Sequence, residues 1–255
     1  MSAGWRALRD EICRWQDAGN LVKFWWRDDD ARQSSAALSR LLDLAQQSTV
    51  PLALAVIPRG AQAKAFDHLP KNVAVLQHGV DHINRAAPGQ KKTEFPAAEP
   101  ESLALERLWL GWQELRQIVG EQALPVLAPP WNRFTQDRVL QLAARGYRGL
   151  SAFQSRPQSH PAPGLVQVNT HVDITEWRPA RRFVGEDQAF FLAFEQLRMR
   201  RCGECDTSEP IGWLTHHAVH EEPAWQFLAA LFERTQTLSG LHWMHPAEVF
   251  EVARS

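Results

Sequence analysis

The sequence predicts an α/β fold of repeated strand–helix units wound around a parallel sheet or barrel, and three observations point there. Short apolar runs alternate with stretches of helical periodicity along the whole chain. The runs are almost continuously hydrophobic, as strands covered on both faces must be. A chain of 255 residues that is 44% hydrophobic can also bury one sizeable core, so residues 1–255 are expected to form a single domain.

Eight runs read as strands: Leu21 to Trp26, Leu52 to Ile57, Val73 to Gln77, Pro125 to Ala128, Arg148 to Ala152, Leu165 to His171, Ile211 to Thr215 and Leu241 to Met244. Helical periodicity fills Ser34 to Gln47, Glu101 to Gly120, Thr135 to Arg145, Asp187 to Arg200 and Pro223 to Leu238, each between two runs. The amino-terminal 20 residues also alternate charged and apolar positions at helical spacing. Thr135 suits a helix N-cap, and Gly146 a left-handed helix stop. Ala86 to Pro100, with three prolines and Lys91-Lys92, has neither period and reads as a long loop, a class that is often functional.

A formal charge of -1 with interspersed signs provides no basic stripe of the kind nucleic-acid backbones require, so nucleic acid is not an expected partner. No segment approaches the roughly 20 apolar residues of a transmembrane helix. The amino terminus lacks the apolar core of a signal peptide, and the three cysteines fit a reducing compartment, so a soluble cytoplasmic protein is expected.

Polar clusters follow the strand runs. They are Arg27-Asp28-Asp29-Asp30, His78 to His82, Pro129-Pro130-Trp131-Asn132, Asp173 to Trp177, and His216-His217. Carboxyl ends of parallel strands converge on one rim, where such clusters can assemble a site. Three adjacent carboxylates repel one another and are costly to desolvate without a cation, although a solvated turn is the plainer alternative. His78 and His82 are spaced i,i+4, which on a helix places both imidazoles on one side. Two imidazoles and a carboxylate are a common catalytic zinc set that leaves a coordination position for water or substrate. Two exposed or core-satisfied histidines are the competing reading.

The order of these clusters resembles the NodB-homology polysaccharide deacetylases, also known as carbohydrate esterase family 4, across most of the chain. Asp28-Asp29-Asp30 resembles the acidic first motif, and His78 to His82 the HxxxH-spaced second. Pro129-Pro130-Trp131 resembles the third, Asp173 to Trp177 the DxxDW fourth, and Leu214-Thr215-His216 the LxH fifth. The resemblance implies a distorted (β/α) barrel that uses one divalent metal ion to remove an acyl group, typically acetyl, from an N-acylated sugar or related metabolite. Zinc is the expected ion, with cobalt or nickel as alternatives.

Carried onto this chain, the motifs make Asp30, His78 and His82 the metal ligands and Asp29 the general base. His216 becomes the acid that donates to the departing amine, supported by Asp173 or Glu176, and an oxyanion donor lies near Trp131. The first motif can be aligned in two ways. An RxDD form selects Asp29 and Asp30; an FDDG form selects Asp28 and Asp29. Two departures stand out. Ala128 occupies the place of the third motif's arginine, for which Arg27, Arg59 and Arg133 are candidate replacements, and Glu176 replaces an aspartate. Another barrel metallohydrolase, or an inactive carbohydrate-binding homologue, remains as an alternative reading.

Weaker signals complete the inventory. Trp131, Trp177 and Trp213 could stack on a sugar face or belong to the core. Cys202 and Cys205 have redox or zinc spacing but lack a second pair. His217, His220, His242 and His245 could form a second metal site, and Lys91, Lys92 and Glu94 could touch substrate. Caps, packing and a solvated charge run are the plainer readings of these residues. The sequence gives no indication of oligomeric state.

Overall fold

The computed structural model describes residues 2–253. Helix α1 (Ala3–Asp17) is capped by the Ser2 hydroxyl, which accepts from the Trp5 amide. It leads into β1 (Val22–Ala31), α2 (Ala36–Ser48), β2 (Leu52–Val56) and β3 (Val73–Gln77). After the loop foreseen at 86–100 come α3 (Glu101–Val119), β4 (Ala123–Leu127), α4 (Val139–Ala144), β5 (Gly149–Leu150), β6 (Val166–Gln167) and β7 (Val172–Asp173). A small antiparallel hairpin, β8 (Thr175–Glu176) and β9 (Arg182–Phe183), precedes α5 (Glu186–Arg201), β10 (Ile211–Thr215), α6 (Glu222–Gln236), β11 (Leu241–Trp243) and α7 (Pro246–Val249).

The main sheet runs β6-β5-β4-β3-β2-β1-β10-β7, with β11 beside the start of β1, and every pairing in it is parallel. Its two ends lie on one continuous segment. The Val168 and Thr170 amides donate to Leu150 and Ala152, while the His171 and Ile174 amides donate to Gly212 and Leu214. Residues 166–174 therefore pass from the edge of β5 to the edge of β10, curling the sheet into a (β/α) barrel.

Period-two alternation sorts the strand side chains. Phe24, Trp26, Leu52, Leu54, Val73 and Val75 pack outward against α1, α2, α5 and α6. Trp25, Ala53, Ala55, Ala74, Leu76 and Val126 pack inward with Met244, Ala247 and Phe250. Small alanines let the sheet curl, and the Trp25 and Phe250 rings fill the space between them edge to face, 5.6 Å apart. Gly212 permits this closeness, since a Cβ there would stand 2.5 Å from the Trp25 indole nitrogen.

Several expected boundaries shift. β1 continues five residues beyond Trp26 because its polar end finds partners inside the fold, described below. The run expected at Leu165 to His171 divides between two sheet edges. The helix expected at Thr135 to Arg145 contracts to a 3-10 turn, Gln136–Arg138, followed by α4, and the Thr135 hydroxyl provides no cap. Gly146 does adopt the left-handed conformation, with φ 89°. Among the described residues, no helix is long and apolar enough to cross a membrane.

Candidate active site

Alternation along β1 decides which acidic side chains face which way. Arg27 and Asp29 share the parity of the inward Trp25, whereas Asp28 shares that of the outward Trp26. Asp28 is fully buried and accepts from the Thr215 hydroxyl (2.6 Å), the His217 amide (3.0 Å) and His217 Nδ1. Strict alternation would turn Asp30 outward as well. Instead Asp30 has φ 72°, and the register of β1 against β2 shifts between Asp28 and Ala31. That break swings the Asp30 carboxylate toward His78 and His82.

Asp30 Oδ1 lies 3.1 Å from His78 Nε2 and 3.2 Å from His82 Nε2, and otherwise has no hydrogen-bond partner. His78 Nδ1 sits 2.9 Å from the Ala128 carbonyl, which only accepts, so Nδ1 carries a hydrogen and the neutral ring aims its Nε2 lone pair at Asp30. A lone pair facing a carboxylate oxygen at this distance needs a cation between them, either a proton or a metal ion. Burial opposes the charged His78 ring, but Asp29 and Asp30 outweigh it and hold His78 above its usual range. Burial and the neighbouring His78 keep His82 below its own. Burial likewise opposes the Asp30 carboxylate, yet the surrounding imidazoles hold it far below the normal range. One nitrogen or oxygen from each of the three residues falls within a 4.8 Å cluster, and this is the one such group among the described residues. A carboxylate and two imidazoles, that of His78 held by an outer carbonyl, suit a borderline divalent ion.

The HxxxH pair does not lie on a helix, contrary to the expectation from its spacing. The imidazoles converge because residues 78–82 form a tight turn around Glu94. That buried carboxylate accepts from the Val80, Asp81 and His82 amides at 3.0, 3.2 and 3.3 Å. Gly79 makes this possible: its φ is 61°, and a Cβ there would collide with Glu94 Oε2 and the Pro130 ring. Glu94 is thus a prop beneath the turn and not a group presented to substrate. Burial, chiefly, pushes its carboxyl up to about 7.

Asp29 is clasped by Arg27, with Nε 2.9 Å from Oδ1 and Nη2 3.0 Å from Oδ2. Both side chains are buried. The rest of the guanidinium donates to the Ser151 hydroxyl (2.7 Å), the Ser151 carbonyl (3.0 Å) and Asn132 Oδ1 (2.7 Å). Among the three candidate replacements for the missing arginine, only Arg27 meets Asp29. Arg59 pairs with Glu114, and Arg133 donates to the Lys92 carbonyl.

On the opposite wall, His216 is buried and its Nδ1 has no hydrogen-bond partner. The Trp177 ring meets it edge to face at 4.6 Å, and the Trp177 indole N–H donates to Asp173 Oδ2 at 2.8 Å. Burial pushes the Asp173 carboxyl up, and the nearby Asp29 adds to this, while His216 and Trp177 oppose it. Asp173 is the acid beside His216. Glu176 lies on the hairpin surface paired with Arg182, its register partner across the β8–β9 ladder.

The remaining aromatic and histidine candidates separate cleanly. Trp131, with φ 55°, rests its ring 4.4 Å from that of His82. Trp213 is fully buried among Phe24 and Phe227 and belongs to the core. His217 holds Asp28, His220 packs on Trp225, His242 meets Glu248 and His245 caps α7, so these four form no second cluster. The thiols of Cys202 and Cys205 are free. Sequence reasoning missed the prop role of Glu94 and the anchors Ser151 and Asn132; only Pro129-Pro130-Trp131-Asn132, already noted as a cluster, carried a signal.

No family model matches the chain, and no curated protein matches it. Solved structures do. A protein from Mycobacterium smegmatis assigned to the polysaccharide deacetylases aligns with a TM-score of 0.65 at 13% identity, over 91% of this chain and 90% of the other. The Bc1960 peptidoglycan N-acetylglucosamine deacetylase aligns with a TM-score of 0.58 at 12% identity, over 92% and 90%. A family 4 carbohydrate esterase from Streptomyces lividans, solved with acetate, gives 0.50 at 17%, over 87% and 90%. From its barrel order to its covered length, the chain has the NodB-like fold of the polysaccharide deacetylases.

Proposed function

We propose that the chain is a metal-dependent deacetylase that hydrolyses the acyl amide of an N-acylated sugar or related metabolite. The observation that carries the reading is Asp30 Oδ1 at 3.1 and 3.2 Å from two imidazole nitrogens, one strand residue from the Arg27-clasped Asp29. Asp30, His78 and His82 would hold a divalent ion, zinc by preference, which would supply Lewis acidity at the site. Asp29 accepts the proton of the attacking water, a role typically contributing about 10²- to 10⁴-fold. Arg27 positions that carboxylate by a hydrogen bond from Nη2 to Oδ2 and an ion-pair contact from Nε to Oδ1. His216 delivers a proton to the departing nitrogen, with Asp173 beside it, held by the Trp177 indole N–H. Trp131 and Trp177 flank the pair of walls as apolar faces for a sugar ring.

Arg27 also weakens the inactive-homologue reading, whose main support was the missing arginine at Ala128. We place the reaction in the cytoplasm, on a small or membrane-linked substrate; three free thiols are compatible with that compartment. Acetate release from N-acetylated sugars by zinc-loaded protein, with Asp29→Asn as control, tests the function. Equal release by both proteins, or release without divalent metal, overturns it.

A further inference from the structure

Each acid at the site is muted, while cations around its mouth are not. Asp29 is clasped by Arg27, Asp30 faces two imidazoles, and burial pushes Asp173 toward its neutral form. Two loops rise on either side. On the Trp131 side, Arg133 donates to the Lys92 carbonyl at 2.7 Å, pinning the 86–100 loop, with its exposed Lys91 and Lys92, beside the site. On the Trp177 side, the Arg181 guanidinium stands over the Trp177 ring at 5.6 Å, and that ring touches His216. Arg178 shares the same exposed hairpin. Arg182 is answered by Glu176, and Arg85 by Asp81. For Lys91, Lys92, Arg133, Arg178 and Arg181, no ion pair occurs among the described residues. These five cations lie in the two segments that carry Trp177 and border Trp131.

We propose that the substrate bears an anionic group, a phosphate or a carboxylate, received at the mouth by Arg181 and Arg178 with Lys92 and Arg133 opposite. This rests on the deacetylase reading and narrows its substrate class. Unpaired cations at the mouth of a cleft concentrate opposite charge and speed encounter, and a guanidinium matches the two-oxygen edge of either anion. Arg181 is already ordered by its ring contact, so little side-chain freedom is lost when it grips.

The experiment compares N-acetylglucosamine, its phosphate ester and N-acetylmuramic acid as the carboxylate probe. kcat/KM is measured with the zinc-loaded protein, and binding is measured calorimetrically with Asp29→Asn. The expected result is a preference of about tenfold or more for an anionic probe at low salt, the scale of one charge-assisted contact. It should narrow as added salt shortens the screening length to about 10 Å near 0.1 M. An Arg178→Ala/Arg181→Ala variant should lose most of the preference, while Arg40→Ala, whose ion pair with Glu222 lies on α2 and α6, should retain it. The two anionic probes separate a phosphate from a carboxylate. Equal or better binding of the neutral sugar, or an intact preference in the double arginine variant, overturns the inference. Turnover of the neutral sugar without anion preference defeats this inference alone. Anion-selective binding without turnover of any probe supports it and counts against the deacetylase reading.

Discussion

Asp28, Asp29 and Asp30 are neighbours in the chain and have three different surroundings. Asp28 ties β1 to the end of β10, Asp29 lies in the grip of Arg27, and a left-handed residue carries Asp30 to the imidazoles. The three asparagine variants should therefore separate. Asp30→Asn should lose most divalent-ion affinity in a titration with zinc. Asp29→Asn should keep the ion and lose turnover by about 10²- to 10⁴-fold in single-turnover assays. Asp28→Asn should keep the ion and cost about 1–3 kcal/mol in urea denaturation, because an NH2 group replaces one of the two buried oxygens that Thr215 and His217 contact. Loss of metal from Asp29→Asn, with turnover lost from Asp28→Asn, would restore the other alignment of the first motif. The residue types at the site were legible in the sequence; their directions were not. Phe24, Trp25 and Trp26 are all large aromatics, so no apolar–polar alternation reveals parity, and the positive φ at Asp30 leaves no mark in an aspartate.

At the scale of elements, the second motif depends on a loop that is distant in sequence. Three amides of the 80–82 turn point at Glu94, so Glu94→Ala leaves them unsatisfied and lets His82 drift from Asp30. Such an outer support typically accounts for about 10- to 100-fold in metal affinity, which a competitive chelator titration would read. Unchanged affinity would reduce Glu94 to ordinary packing. The sequence marked 86–100 as a long loop but could not show that one residue of it folds beneath the histidines, since only tertiary contact defines that role. The helix pair α1 and α5 offers a simpler test. Burial raises the Glu11 carboxyl, but Arg201 and Arg14 outweigh it and leave it lowered from 4.5. The stability Glu11 contributes is present above its unfolded value of about 4.5 and is lost as pH falls through the folded value. Glu11→Gln should flatten that acid-side decline in urea denaturation; an unchanged slope would remove Glu11 from the balance.

For the whole molecule, an ion bound only by the folded state couples the site to global stability. At about 100 times its dissociation constant, zinc should add roughly 2.7 kcal/mol, and a chelator should remove that gain. His78→Ala should show neither effect. A gain that survives in that variant would locate the stabilising ion elsewhere. The barrel itself was readable from alternating apolar runs, whereas its closure was not, because Leu165 to His171 carries one uniform pattern while serving two edges. That crossing has a further consequence for motion. Around β1, β2 and β3, ladders of up to five consecutive residue pairs hold neighbouring strands, but β6 and β7 each contribute only two. The barrel should breathe at this seam. Amide deuterium exchange should be slowest in β2 and fastest at 166–174, so that opening on the slow timescale begins beside Asp173 and travels toward the hairpin carrying Trp177.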